Sequence, residues 1–220
     1  MTDPLSPPPL PTRDAIYAMP PFSGLDREDI HLVATPENAA AALELILNAP
    51  VVGFDTESRP TFRKGQKSEG PHVLQFATEH GAYIFQTLHK HCKPAVVEIL
   101  RAKQVAKIGF GLNDDIARIS EKFHIRPKAI IDLDFTFKRS FGYKNSIGVK
   151  SAVALLFNHR FTKSHKATTS NWANAALTEK QLRYAANDAY AAIIVYRELE
   201  KRGVEVVAHP QQTSAGRERP

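Results

Sequence analysis

A strand that ends in two acids sets the first condition on how this chain folds. Val51-Val52-Gly53-Phe54-Asp55-Thr56-Glu57 opens as an apolar run of the kind that packs on both faces, then aims Asp55 and Glu57 to one side, because side chains along a strand alternate with a period of two. Like charges held this close repel and raise each other's pKa. The pair therefore calls for a metal ion or a strong basic partner, and the other ligands of such an ion must come from elsewhere in the chain.

With 220 residues and 43% hydrophobic composition, the chain suits one sizeable core. One domain is expected over 25–207, preceded by a Pro-rich flexible arm over 1–24 (Pro4, Pro7, Pro8, Pro9, Pro11, Pro20, Pro21) and followed by a polar tail over 208–220. A single cysteine, Cys92, excludes an internal disulfide and any thiolate zinc cluster, which fits a reducing compartment. The first residues show no basic and apolar leader, and no apolar run is long enough to span a bilayer, so a soluble, cytoplasmic protein with no membrane partner is expected.

The net charge of +6 is unevenly spread. From Phe135 to Thr178 there is no acid, while Lys138, Arg139, Lys144, Lys150, Arg160, Lys163 and Lys166 fall in that window; the rest of the chain is close to neutral. Phe137, Phe141, Tyr143, Phe157, Phe161 and Trp172 are interleaved with these bases. Two readings stand side by side: a surface that follows a phosphate backbone and stacks on bases, or a solvated basic face with core aromatics beneath it.

The pattern alternates strands and helices. Thr35-Pro36 predicts a helix start, with the helix running to Leu47. Strands are expected at His72–Thr78 and Ala82–Gln86, joined by the short turn Glu79-His80-Gly81. A helix over Lys93–Ala102, a strand over Val105–Phe110, a helix over Leu112–Phe123 and a short strand over Ala129–Leu133 follow. Helices then dominate, at Ser146–Phe157 and at Thr178–Lys201, where Thr178 and Gln181 form a capping box.

That last helix carries Tyr184 and Asp188, four apart and so on one face, among alanines that admit close backbone approach and do not solvate a carboxylate. Asp188 needs a partner, and the cation implied by Asp55 and Glu57 is a natural one. Asp114 and Asp115 lie where a strand turns into a helix through Gly111-Leu112-Asn113. One of them can cap the helix while the other points across the carboxyl ends of the strands.

Together, Phe54-Asp55-Thr56-Glu57, Gly111-Leu112-Asn113-Asp114-Asp115 and Tyr184-x-x-x-Asp188 resemble the DEDDy family of 3′-5′ exonucleases, which includes ribonuclease D and the Werner syndrome exonuclease domain. Ser170-Asn171-Trp172-Ala173 and the run from Leu177 to Ala191 look especially like the Werner-type branch. The resemblance covers roughly residues 30 to 200 and implies a ribonuclease H-like α/β fold, a mixed sheet with helices on both faces. It maps the family's first two acids onto Asp55 and Glu57, its third onto Asp115, four after Gly111 and four before Ile119, and its last onto Asp188. Its tyrosine is Tyr184; the sister group's histidine would fall at Arg183.

The resemblance implies a metal-dependent 3′-5′ exonuclease, with Asp55, Glu57, Asp115 and Asp188 holding two divalent cations, Mg²⁺ or Mn²⁺, for in-line displacement at phosphorus. Tyr184 completes the catalytic set by orienting the attacking water, since a phenol of ordinary pKa is a poor base at neutral pH. The expected partner is DNA or RNA with a free 3′ end, single-stranded or at a duplex terminus. Arg63, Lys64, Arg160, Lys163 and Lys166 are the candidate contacts to its backbone, and Trp172 is read as a packing anchor. Ser58 stands where the Werner-type domain has an aromatic residue. No stretch resembles a helicase or the module that follows the nuclease domain in ribonuclease D, so a stand-alone nuclease is expected. The alternative is a catalytically silent nucleic-acid-binding module of the same fold; a magnesium-dependent phosphatase would leave Tyr184 and Asp188 unexplained.

Overall fold

A computed structural model describes residues 8–61, 68–163 and 165–206. Among these, six strands form one sheet in the order β1-β4-β3-β2-β5-β6: β1 Ile30–Val33, β2 Val51–Glu57, β3 Val73–Ala77, β4 Ala82–Gln86, β5 Ala106–Gly109 and β6 Ile130–Asp132. β3 runs antiparallel to β2 and β4, while β1 pairs parallel with β4, β5 with β2, and β6 with β5. The sheet is therefore mixed, as the resemblance implied, and the acid-bearing strand β2 lies inside it between β3 and β5.

Helices cover both faces. On one, α2 (Pro36–Leu47), α3 (Lys93–Arg101) and α4 (Asn113–Phe123) pack through Ile46, Ile99 and Ile119 onto Val52, Phe54, Leu74 and Phe85. Phe54 stacks on Phe76 at 5.2 Å and Phe76 meets Phe85 edge-on at 5.8 Å, pairs that each add about 0.5–1.5 kcal/mol beyond their buried area. On the other face, α5 (Leu133–Phe141), α6 (Val149–Phe157) and α8 (Glu179–Lys201) enclose Val51, Val73, Ile84 and Ile108. A single turn, α7 (His165–Thr168), precedes α8.

Local chemistry explains the helix starts. The Thr35 hydroxyl accepts from Asn38 N at 3.2 Å, with Pro36 at the first turn of α2. In α8 the Thr178 hydroxyl accepts from Gln181 N, and Gln181 Oε1 accepts from Thr178 N at 3.0 Å, so the capping box read from the sequence is formed. Strand β1 and helix α5 had no counterpart in the sequence reading. β1 is too short to alternate visibly, and α5 is capped by a strand residue, Asp132, whose carboxylate accepts from Asp134 N at 3.0 Å.

Of the segment expected to be an extended or flexible arm over 1–24, residues 8–24 are described. It contains a helix, α1 (Arg13–Ala18), and residues 20–25 are bound to the domain: Arg160 N donates to Pro20 O, Phe22 N to Arg160 O, and Leu25 N to Asn187 Oδ1, at 2.7, 3.0 and 2.9 Å. Phe22 supplies the apolar anchor, packing on Phe157, Phe161 and Tyr190. The prolines concealed this because they break periodicity without preventing docking.

The aromatics of the acid-free window resolve toward the core reading. Phe137, Tyr143, Phe161 and Trp172 are buried, and Phe141 and Phe157 pack against the same core. They pack into or against the core and hold the helices in place.

Candidate active site

β2 and α8 together build the site. Side chains on β2 alternate, so Asp55 and Glu57 leave the same face of the sheet, the face that α8 crosses. Gly53 permits that crossing: a β-carbon there would overlap the Ala189 carbonyl oxygen. The alanines around Asp188 keep the helix equally slim, and the result is that carboxylate oxygens of Asp55, Glu57 and Asp188 all lie within 4.8 Å of one another.

Three carboxylates in that space strain one another electrostatically. Burial, then the neighbouring Asp115 and Asp188, holds the Asp55 carboxyl well above the usual carboxylate range; Asp55 is half-buried as a residue, but its carboxyl group lies deep among protein atoms. Burial and then Asp55 push Glu57 up to about 9. Asp188 is raised by burial too, against the lowering effect of Lys163. Such a cluster could hold a cation, whose charge would relieve the repulsion.

Part of that positive charge comes from the protein itself. Lys163 Nζ sits 2.8 Å from Asp188 Oδ2 and 5.7 Å from the centre of the Tyr184 ring. The contact is an ion pair more than a directed hydrogen bond, and Asp188 Oδ1 has no hydrogen-bond partner among the described residues. Burial disfavours the Lys163 ammonium, but Asp188 and Asp55 outweigh it and hold the group above its ordinary pKa. Lys163 was read from the sequence as a backbone-phosphate contact; its nearest anion here is an acid of the cluster.

Asp115 is brought near this cluster but is not within it. It is buried, whereas Asp114 beside it is exposed, so of the two adjacent acids the structure turns Asp115 inward. Its Oδ1 accepts a short hydrogen bond from Thr56 Oγ1. Burial raises its pKa and the Thr56 hydroxyl works against that. Thr56 lies between the two acids of β2 and points to the opposite side, which is why Asp115 is reached from that side. The turn carrying Asp115 is itself held by Asp132, whose two carboxylate oxygens accept from Gly111 N and Leu112 N at 3.0 and 2.9 Å. Thr56 and Asp132 escaped the sequence reading: a threonine in a strand and an aspartate at a strand end are too ordinary to stand out.

Tyr184 is buried one turn before Asp188, its hydroxyl 3.0 Å from Thr168 Oγ1 and its ring 5.9 Å from that of Trp172. Burial, then the Asp188 charge, raises its pKa further above 10. Trp172 is fully buried, the packing anchor expected. Its loop is tied to α8 by Gln181 Nε2, which donates to Ser170 Oγ at 3.0 Å.

The remaining candidates scatter. Arg160 is half-buried with its guanidinium on Tyr17 O at 2.7 Å, and Lys166 is exposed on α7. Arg63 and Lys64 lie outside the described residues. Ser58 is half-buried, its hydroxyl without a hydrogen-bond partner among the described residues.

The donor set suits a hard divalent cation: carboxylate oxygens converge, and the buried Asp188 Oδ1 has no hydrogen-bond partner among the described residues.

Comparison with known proteins agrees with this geometry. Residues 30–203 match the 3′-5′ exonuclease family, a span that contains every acid described above. The chain is 27% identical over 154 residues to the mouse bifunctional 3′-5′ exonuclease/ATP-dependent helicase WRN, covering 70% of this chain and 11% of that protein. It is 25% identical over 150 residues to a 3′-5′ exonuclease of Arabidopsis thaliana, covering 68% of this chain and 52% of that one. The chain thus spans about a tenth and about half the length of these two relatives. Among solved structures, the Aedes aegypti Nibbler EXO domain superimposes with a TM-score of 0.68 at 24% identity, over 81% of this chain and 90% of that one. Trypanosoma brucei RNase D does so with a TM-score of 0.69 at 16% identity, over 77% and 64%. At those identities the likeness bears on the fold, which is ribonuclease H-like. On the family match and its arrangement of acids, the chain belongs to the DEDDy group of the 3′-5′ exonuclease family.

Proposed function

We propose that the protein is an active 3′-5′ exonuclease that hydrolyses phosphodiester bonds from the 3′ end of DNA or RNA by a two-metal-ion mechanism. The observation that carries this reading is the convergence of Asp55, Glu57 and Asp188 within 4.8 Å, with Asp115 beside them, in a chain of this family.

Asp55, Glu57 and Asp188 would hold one divalent cation, Mg²⁺ or Mn²⁺, and Asp115 would serve a second. Bound there, such ions lower the pKa of a water and neutralise charge on the phosphate and the leaving oxygen. The protein's own groups do the rest. The charges of both Asp115 and Asp188 act on Asp55 and raise its pKa, after burial. Tyr184 stands beside Asp188 with its hydroxyl steadied by Thr168, placed to orient a water and, with a pKa raised above 10, kept protonated as a donor. Lys163, which pairs with Asp188 here, is the base on this side of the cluster that would meet the phosphate of the substrate. The walls of Phe54, Phe110 and Val149 around Asp55 and Asp188 limit water in the small cavity there.

The partner in this reading is a strand of nucleic acid presenting its 3′ end; T. brucei RNase D has been solved in complex with an RNA, U12. A second reading, a silent nucleic-acid-binding module, draws on the Lys163–Asp188 pair, which occupies with protein charge part of the space a cation would use.

The test is digestion of 5′-labelled DNA and RNA oligonucleotides with Mg²⁺, Mn²⁺ or chelator, by wild type and Asp55→Asn. A ladder shortening from the 3′ end that needs both metal and Asp55 is expected. Binding without shortening in either metal would replace this reading with the silent module, and cleavage of 3′-phosphate-blocked strands at internal bonds would make the enzyme an endonuclease.

A further inference from the structure

The family match begins at residue 30, yet the segment before it reaches the active site. Helix α1 lies against the start of α6 and the loop over 158–163, held there by Arg160, whose backbone bonds Pro20 and Phe22 and whose guanidinium donates to Tyr17 O. Between α1 and those elements runs a groove of about 650 Å³, lined by Arg13 and Tyr17 from α1, Lys150 and Ser151 from α6, and Arg160 and Lys163 from the loop. Lys163 also lines the cavity that holds Asp55 and Asp188, so the groove and the acidic cluster meet at this side chain.

Its lining contains four bases and no acid. It also contains an aromatic residue that the core does not use: Tyr17 is 57% exposed, with the Arg13 guanidinium 5.4 Å from its ring centre. The charges of Arg13, Lys150 and Arg160 converge on this ring closely enough to lower the Tyr17 pKa, after the hydrogen bond from Arg13. A concave basic track beside an exposed aromatic face fits a single strand, whose phosphates need cations and whose unpaired bases can stack; a duplex would offer Tyr17 no base face.

Building on the exonuclease reading above, we propose that this groove holds the single-stranded segment on the 5′ side of the scissile phosphate, with the N-terminal arm as one of its walls. Lys163 and Arg160 take the phosphates nearest the acids, Lys150 and Arg13 the next, and Tyr17 offers a face to a base. Substrate binding is thus shared between the exonuclease domain and a segment outside it. The same chemistry serves DNA and RNA.

The test uses the full chain and fluorescein-labelled single strands of 2 and 12 nucleotides, in DNA and in RNA, with binding read by anisotropy in chelator and hydrolysis read with Mn²⁺. Arg13→Ala with Tyr17→Ala, and separately Lys150→Ala, should weaken 12-mer binding about tenfold and the dinucleotide much less. Each lost phosphate contact should flatten the salt dependence of 12-mer affinity, the slope of log K on log[salt] changing by ~0.7. Arg13→Lys should recover most of that slope, which guards against a variant that has merely undocked the arm. Equal losses at both lengths, or 12-mer affinity within twofold of wild type, would overturn the proposal. So would a blunt duplex bound as tightly and with the same dependence on Tyr17. Failure of the exonuclease reading looks different: wild type would cut nothing in any metal while still binding the 12-mer through Arg13.

Discussion

The backbones of Gly53 and Ala189 pass so closely that a β-carbon on Gly53 would stand 1.9 Å from the Ala189 carbonyl oxygen. This approach presses α8 onto β2 and so delivers Asp188 to Asp55 and Glu57. Gly53→Ala must push the two apart. Overpacking of this kind costs about 1–3 kcal/mol, and here it falls on backbone that cannot swing aside, so the upper end is expected. Urea unfolding should show that loss, and activity should fall further than stability because the carboxylates separate.

Asp55→Asn and Asp188→Asn should each lower hydrolysis by about 10³-fold or more, the scale expected when a charge at the reacting centre is removed. Asp55→Asn should not lower the melting temperature of the metal-free protein, since it removes a buried, repelling charge, whereas Asp188→Asn also takes away the ion-pair partner of Lys163 and should lower it. Single-turnover rates together with thermal melts in chelator check both halves.

The pH dependence of stability follows from Glu57. A carboxyl whose folded-state pKa lies above its unfolded value contributes stability that is complete below the unfolded value and is lost as pH rises through the folded one. With Glu57 raised from 4.5 to about 9, the metal-free protein loses stability between those limits, with a slope of up to ~1.4 kcal/mol per pH unit. Lys107, buried in β5 with Nζ on the carbonyls of Ala102 and Val105, is lowered by burial to about 7 and contributes the opposite slope above that pH. Comparison of wild type with Glu57→Gln cancels Lys107: denaturant midpoints from pH 5 to 9 in chelator should converge at the acid end and separate at the alkaline end, with the variant more stable. Added Mn²⁺ should reverse that order.

Lys163 competes with any cation for Asp188. Lys163→Met should therefore bind Mn²⁺ about tenfold more tightly, the equivalent of one ion-pair contact of ~1.4 kcal/mol, while KM for an oligonucleotide rises because the phosphate loses its cation. Calorimetric metal titration and steady-state kinetics separate the two effects; unchanged metal affinity would mean that the pair is no competitor.

Tyr184→Phe keeps the ring that packs on Trp172 and removes only the hydroxyl bonded to Thr168. Hydrolysis should drop by about 10- to 100-fold with metal affinity intact. Because the phenol is raised above its ordinary value, the wild-type pH–rate profile should show no ionisation of Tyr184 below pH 10.

Much of this site is written in local sequence. Alternation in β2 alone places Asp55 and Glu57 on one side, helical spacing alone joins Tyr184 to Asp188, and the capping box at Thr178 starts that helix where the sequence says it starts. These are short-range rules, and they act whatever the rest of the chain does. The tertiary structure decided what those rules cannot reach. The hydroxyl of Thr56 meets Asp115 across 59 residues, Asp132 steadies the Asp115 turn from a neighbouring strand, and Lys163 faces Asp188 instead of solvent. Phe137, Phe141 and Phe157 pack on the core because helices α5 and α6 turn them inward, Tyr143, Phe161 and Trp172 join them from the connecting loops, and Phe22 docks among Phe157, Phe161 and Tyr190. Each depends on two elements distant in sequence closing around the same sheet, where packing selects one arrangement among many that the local pattern would permit. The two acids at the end of β2 were legible from their own spacing; which positive charge stands beside their cluster was settled only when α8 and the loop over 158–163 came to rest on that side of the sheet.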